Sequence, residues 1–443
     1  MVTSAMAERR FPSDFRWGTA TSSHQVEGGN VRNDWWLFEQ QPGRIKGGDR
    51  SGLACDWWRN AEADFDRMAA LHQNAHRLSL EWSRLEPEEG RWDDAAVARY
   101  RQMLHGLRSR AIEPVVTLQH FTLPRWAAAG GGWESPRIVG WFAGYARRCA
   151  ECFGDLAEAW VPINEPNVVV TLGYIMGRFP PAAHNILRAP RVTRHLLRAH
   201  AAAYRAIHAV GPRARVGTAH NIRILDPGPA PSRLAAALDR RAADANSWAF
   251  NWVWLDVLSG RAAHRVRRIG QVEECAGTVD FIGVNYYTRE HVRFDPWRPQ
   301  GGFLRSLRVP GEARSDGDYG EVYPEGLRRV LLDVWQRYRR PIYVTENGLP
   351  DADDDLRPRF LYDHLAALHA ALEAGVEVRG YYHWSLIDNF EWTDGWALKF
   401  GLIAVDPATQ RRTERPSARL YAEICRSGAL PGADVLREFA QRP

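Results

Sequence analysis

The sequence predicts a single (β/α)8 TIM barrel with long βα loops forming the active-site rim. Three observations lead there. Eight short apolar or β-branched runs alternate with stretches of helical periodicity, as βαβ crossovers and a parallel sheet require. Eight is also the number that closes such a barrel. The Gly/Pro-rich pieces fall between these units, and no linker or internal repeat divides the chain. With 443 residues, 45% hydrophobic and 25% charged, the chain can bury a large core. Residues 1–443 therefore read as one domain, with 1–10 a loose N-terminal segment.

The strand signals are Phe15–Ala20, Ala75–Leu80, Pro114–Leu118, Ala159–Ile163, Arg215–Ala219, Phe281–Val284, Ile342–Thr345 and Gly380–Trp384. Between them, Ala61 to Ala70 sets Phe65, Met68 and Ala69 on one helical face, and Leu361 to Leu372 aligns Leu361, Leu365, Leu368 and Leu372. Such residues report barrel packing, not function. Gln41 to Gly52, Asp226 to Pro231 and Pro296 to Gly320 read as long loops.

Composition removes several classes of function. No apolar run is long enough to span a membrane, and Met1 to Arg10 lacks the apolar core of a secretory signal. Five cysteines without framework spacing fit a reducing, cytoplasmic setting. Cys149 and Cys152 lie in a helix-like stretch without a second pair or a His cluster, so no metal site is expected. The charge of +5 comes from 58 basic residues, all Arg except Lys46 and Lys399, interleaved with 53 acids. That pattern describes a solvated exterior and not a nucleic-acid face. No nucleotide-binding loop appears, and no cofactor is expected.

In such a barrel, function sits at the C-terminal ends of the strands. The polar residues there are Gln25 and Glu27, Arg77, His120, Asn164 and Glu165, Asn285 and Tyr287, Glu346 and Asn347, and His383 to Trp392. Two carboxylates each end an apolar strand and precede a turn residue: Glu165 in Trp160-Val-Pro-Ile-Asn-Glu-Pro-Asn167 and Glu346 in Ile342-Tyr-Val-Thr-Glu-Asn-Gly348. Paired carboxylates across a cleft suit glycosidic cleavage, one protonating the leaving oxygen and one attacking or stabilising the cationic carbon. Strand-terminal salt bridges are the alternative, and spacing alone does not decide between them.

The blocks around these acids do. Ile163-Asn-Glu-Pro166, Tyr343-Val-Thr-Glu-Asn-Gly348 and Trp384-Ser-Leu-Ile-Asp-Asn-Phe-Glu-Trp392 resemble the signature blocks of glycoside hydrolase family 1, the β-glucosidase family. Phe15 to Gly28, His76-Arg-Leu-Ser79 with Glu81-Trp-Ser-Arg84, Thr117-Leu-Gln-His120 and Asp280 to Tyr287 match in the expected order, from about Phe11 to Tyr421. The resemblance implies a retaining, exo-acting β-glycosidase, most simply a β-glucosidase with β-galactosidase or β-fucosidase activity. Its substrates are neutral small-molecule β-glycosides.

It further implies that Glu346 is the nucleophile and Glu165 the acid/base, with Arg77 keeping Glu346 ionised and Tyr287 donating to it. Asn285 supports the pair. Gln25, His120, Asn164, Glu391 and Trp392 bind glycone hydroxyls, Trp384 forms the stacking floor, and Phe400 closes the hydroxymethyl side. Glu391 would repel a 6-phosphate. Two positions depart from the family pattern. Phe121 stands where a Trp is usual, and Tyr319-Gly320 where many relatives have Gly-Trp. Gly320 thus implies a wider aglycone entrance accepting bulky or aryl groups, with Tyr319 or an arginine of Phe303 to Arg314 partly replacing the Trp. A transglycosylase would use the same machinery. A non-catalytic sugar-binding protein would usually lack one of the two acids.

Overall fold

The computed structural model describes residues 9–261 and 269–439. Among these, eight parallel strands form the barrel: β1 (Arg16–Ala20), β2 (Ala75–Ser79), β3 (Glu113–Gln119), β4 (Ala159–Ile163), β5, β6 (Ile282–Asn285), β7 (Ile342–Asn347) and β8 (Val378–Trp384). Strand β5 comes in two pieces. Arg215–Val216 pairs with β4 and Thr218–Asn221 with β6, so this one strand joins both ends of the sheet. The break lies at Gly217, where a Cβ would stand 2.4 Å from the Phe281 ring.

Helices cover the outside: α1 (Trp57–Ala70), α2 (Asp94–Arg108), α3 (Arg137–Phe153), α4 (Ala189–Val210), α5 (Arg233–Ser247), α6 (Pro324–Tyr338), α7 (Arg357–Glu373) and α8 (Pro416–Ser427). The apolar faces of all but α5 pack toward the outer strand residues, as the periodicity of α1 and α7 requires, whereas α5 packs on the segments Ile224–Pro227 and Arg289–Phe294 outside the barrel. The barrel interior pairs small with large side chains, Ala20, Ala75, Ala159 and Ala219 against Phe281, Tyr382, Trp384 and Phe400. At its N-terminal end Glu113 takes Arg16 at 2.6 Å and Arg215 at 2.5 Å. Charge pairs therefore close the bottom, and the polar chemistry is left to the top.

A further sheet reaches into two of the expected loops, its middle strand lying outside both. Ile224–Pro227 pairs in parallel with Arg289–Phe294, which pairs antiparallel with Leu304–Leu307. Only Val292 of the middle strand is buried, so the run has no apolar alternation to read. At the N-terminus, Arg9–Arg10 are held against Ala429–Leu430 and are not loose; residues 1–8 lie outside the described residues. No described helix is long and apolar enough to cross a membrane, and all five cysteines are free.

Candidate active site

The C-terminal mouth holds a cavity of about 440 Å³ whose lining includes Glu165, Glu346, His120, Phe121, Tyr287, Tyr319, Trp384, Glu391 and Trp392. Arg77, Asn164, Asn285 and Gln25 stand behind this lining and are hydrogen-bonded to it.

Glu346 leaves β7 buried. Its Oε1 takes the Arg77 guanidinium from β2 at 2.5 Å, and its Oε2 takes the Tyr287 hydroxyl at 2.5 Å. Burial raises its pKa, while Arg77 and then Tyr287 oppose the rise. Burial thus outweighs Arg77 and Tyr287, which the sequence leads one to expect would keep Glu346 ionised. Arg77 is itself fixed by Thr117 Oγ1 at 3.0 Å and Asn164 Oδ1 at 2.6 Å.

Glu165 sits where β4 turns into a short helix, with Pro166 at the first helical position. Its own backbone is left-handed, φ 44°, which swings the carboxyl off the strand line. Oε1 accepts only neutral amides, Asn285 at 2.8 Å and Asn221 at 2.9 Å. Burial first and Glu346 second push Glu165 up to about 7. The two acids therefore face unlike surroundings: a cation and a phenol at Glu346, amides at Glu165.

The remaining wall suits a ring bearing hydroxyls. Trp384, His120 and Trp392 lie nearly parallel, His120 making 21° with Trp384 and 14° with Trp392. Asn164 gives its carbonyl oxygen to Arg77, so its NH₂ donates to His120 Nε2 at 3.1 Å, while His120 Nδ1 has no partner in the protein. Burial and Arg77 hold His120 neutral. Glu391 takes Gln25 Nε2 at 3.1 Å and is pushed up to about 8 by burial, then by Asp394 and Glu346. The rise favours the protonated form, which can donate as well as accept.

Two expected lining residues lie elsewhere. Phe400 is buried behind the wall, with ring centroids 5.3 Å from Tyr319 and 6.2 Å from Tyr287. Gly320 is buried against Thr288, where a Cβ would meet Oγ1 at 2.2 Å, so it opens no entrance. Tyr319 alone faces the cavity. Arg308 and Arg314 pair with Asp318 and do not line it. Phe121 packs on Trp392 and Phe179 at 5.1 and 5.5 Å.

Asn221, Thr117 and Thr345 are hydrogen-bonded to the candidate site's residues, and the sequence reading assigns them no role. Thr345 Oγ1 donates to Asn285 Oδ1 at 2.6 Å and so turns the Asn285 amide NH₂ toward Glu165. Asn221 ends β5 as Asn285 ends β6. Reading that strand two residues further finds it. Two groups of possible metal ligands lie outside the cavity lining. In one, Arg289 forms ion pairs with both Glu312 and Glu321; in the other, Asp351 accepts the backbone N–H groups of Leu356 and Arg357.

A barrel with two such carboxylates over an aromatic floor defines a carbohydrate-cleaving enzyme. Residues 7–429 match the family model "Glycosyl hydrolase family 1", and the chain belongs to that family of glycoside hydrolases. It is 31% identical to "Beta-glucosidase A" of Thermotoga maritima, over 96% of this chain and 100% of the relative. The solved structure "Family 1 b-glucosidase from Thermotoga maritima" superposes with TM-score 0.90 at 29% identity, covering 96% of this chain and all of that one. "Beta-glycosidase from Pyrococcus horikoshii" gives TM-score 0.87 at 38% identity, covering 98% and 99%.

Proposed function

We propose that this glycoside hydrolase is a retaining, exo-acting β-glucosidase for neutral sugars, with side activity on β-galactosides or β-fucosides. Glu346 attacks the anomeric carbon, and the glycosidic C–O bond breaks as Glu165 gives its proton to the departing oxygen. Glu346 is then a neutral glycosyl ester, so its repulsion of Glu165 disappears. Glu165, now ionised, takes a proton from water, whose oxygen attacks the same carbon and frees Glu346. The observation that carries this reading is the contrast in partners: Arg77 and Tyr287 on Glu346, amides on Glu165.

The glycone lies on Trp384, with hydroxyls to His120, Asn164, Glu391, Gln25 and Trp392. With the Glu391 carboxyl raised toward its neutral form, the repulsion of a 6-phosphate there comes less from Glu391 than from the Asp394 and Glu346 carboxylates that raise it, and the pocket favours neutral sugars. We place the enzyme, working as one domain, in the cytoplasm, where five unpaired cysteines would stay reduced. A panel of 4-nitrophenyl β-glycosides tests the glycone. The expected order has glucoside first and 6-phosphoglucoside inactive; a faster 6-phosphoglucoside would overturn it.

A further inference from the structure

Trp392, set against the glycone in the reading above, has a backbone φ of 52°. That is the left-handed region, which a bulky side chain adopts only when its surroundings fix it there. Trp35, Phe121 and Phe179 close on the indole at angles of 53°, 71° and 41°. Two imidazoles instead lie nearly parallel to it, His120 at 6.0 Å and 14° and His24 at 5.8 Å and 12°. His120 belongs to the pocket lining, whereas His24 is buried outside it.

The His24 ring is tied at both nitrogens. Asn33 Oδ1 accepts the Trp36 backbone N–H at 2.8 Å, so the Asn33 NH₂ donates to His24 Nδ1 at 3.1 Å. The ring proton therefore sits on Nε2, which faces the buried Glu39 carboxylate at 3.7 Å. Glu39 is pinned in turn by the Ser51 N–H and hydroxyl at 3.2 and 2.9 Å. Rotation about the outer side-chain torsion of a His is otherwise broad, so these ties set the plane that Trp392 meets.

His24 also shares one helical turn, Ser23–Val26, with Gln25. Gln25 Nε2 reaches Glu391 Oε2 at 3.1 Å and Asn389 Oδ1 at 2.9 Å. Two adjacent residues after β1 thus hold two adjacent residues after β8. The two strands are neighbours in the barrel, although Gln25 and Glu391 stand 366 residues apart.

Resting on the β-glucosidase reading, we infer that His24 is a positioning residue: tied to Asn33 and Glu39, it fixes the Trp392 indole so that Nε1–H meets one glycone hydroxyl. That N–H has no acceptor among the described residues. The test is kcat/KM for 4-nitrophenyl β-glucoside and its 2-, 3-, 4- and 6-deoxy analogues with wild type, His24→Leu and Asn33→Ser. Leu removes the parallel ring and both ties. Ser keeps the cap on Trp36 and removes only the donor to Nδ1, and it carries the test if His24→Leu does not fold.

Each ratio of parent to deoxy analogue reads the contacts of one hydroxyl, and intrinsic reactivity cancels when variant and wild type are compared. A hydrogen bond between neutral groups is worth about fivefold. One of the 3-, 4- and 6-deoxy ratios is expected to shrink about fivefold in His24→Leu and about twofold in Asn33→Ser. The 2-deoxy ratio should stay, because the 2-hydroxyl adjoins the anomeric carbon on the side of the two acids. A merely structural role would lower all rates together and leave every ratio as it was. Ratios unchanged in every variant that folds, or all four shrunk alike, overturn the inference. If wild type leaves 4-nitrophenyl β-glucoside intact, the β-glucosidase reading fails and this inference with it. If wild type cleaves it and the ratios stay, only the positioning role fails.

Discussion

Replacing Glu165 by Gln should stabilise the protein at alkaline pH while it removes the proposed acid catalyst. The folded pKa of about 7 lies above the ordinary 4.5, because burial and Glu346 penalise the carboxylate. Between these values the folded protein binds more protons at this site than the unfolded chain does. Stability therefore falls as pH rises through the window, and the whole penalty is present above pH 7. The distance from 4.5 to about 7 is worth about 3 kcal/mol. Gln keeps a carbonyl oxygen for the Asn221 and Asn285 amides and carries no charge. Spread over the unfolding entropy of a chain this long, the gain is about 3 °C in Tm. Thermal unfolding followed by circular dichroism at about pH 8 and about pH 4.5 reads it. The variant should melt about 3 °C higher at the alkaline pH and within about 1 °C of wild type at the acid one. Equal shifts at the two pH values, or none, would refute the assignment of a buried, proton-holding Glu165.

Glu165→Gln should also slow glycosides with poor leaving groups far more than activated aryl glycosides; equal losses would sink the acid/base role. Glu346→Ala should abolish hydrolysis, with azide restoring turnover to a product of inverted anomeric configuration, seen by NMR. Asn221→Ala removes a hydrogen bond that lowers the Glu165 pKa, so the alkaline limb of the kcat/KM profile should move to higher pH; a limb that stays put removes Asn221 from the acid's surroundings. Gly217→Ala should cost about 1–3 kcal/mol by driving a methyl into Phe281, measured by urea denaturation.

Most of the barrel was legible because its strands are local signals. Each is a short apolar run ended by a polar residue, and β4 matches its run at both ends. The two acids were legible for the same reason: a charged residue directly after a buried strand stands, in this architecture, at the mouth where the chemistry gathers. The sheet of Ile224–Pro227, Arg289–Phe294 and Leu304–Leu307 was not, because half-exposed strands rich in Arg and Glu have no period to detect.

The sequence by itself determined the barrel and the family and singled out the two carboxylates proposed as the acid pair, all of which rest on residue type and order. Only the tertiary structure decided the environments. It set Arg77 on one acid and amides on the other, and it put Asn221 beside Glu165. It placed Phe400 behind the wall, and it turned Gly320 into Thr288 so that Tyr319 alone faces the cavity. Protonation and pocket shape depend on groups distant in sequence, Arg77 and Glu346 being 269 residues apart. Burial and charge act through space, and only the closed barrel brings those groups within reach of one another.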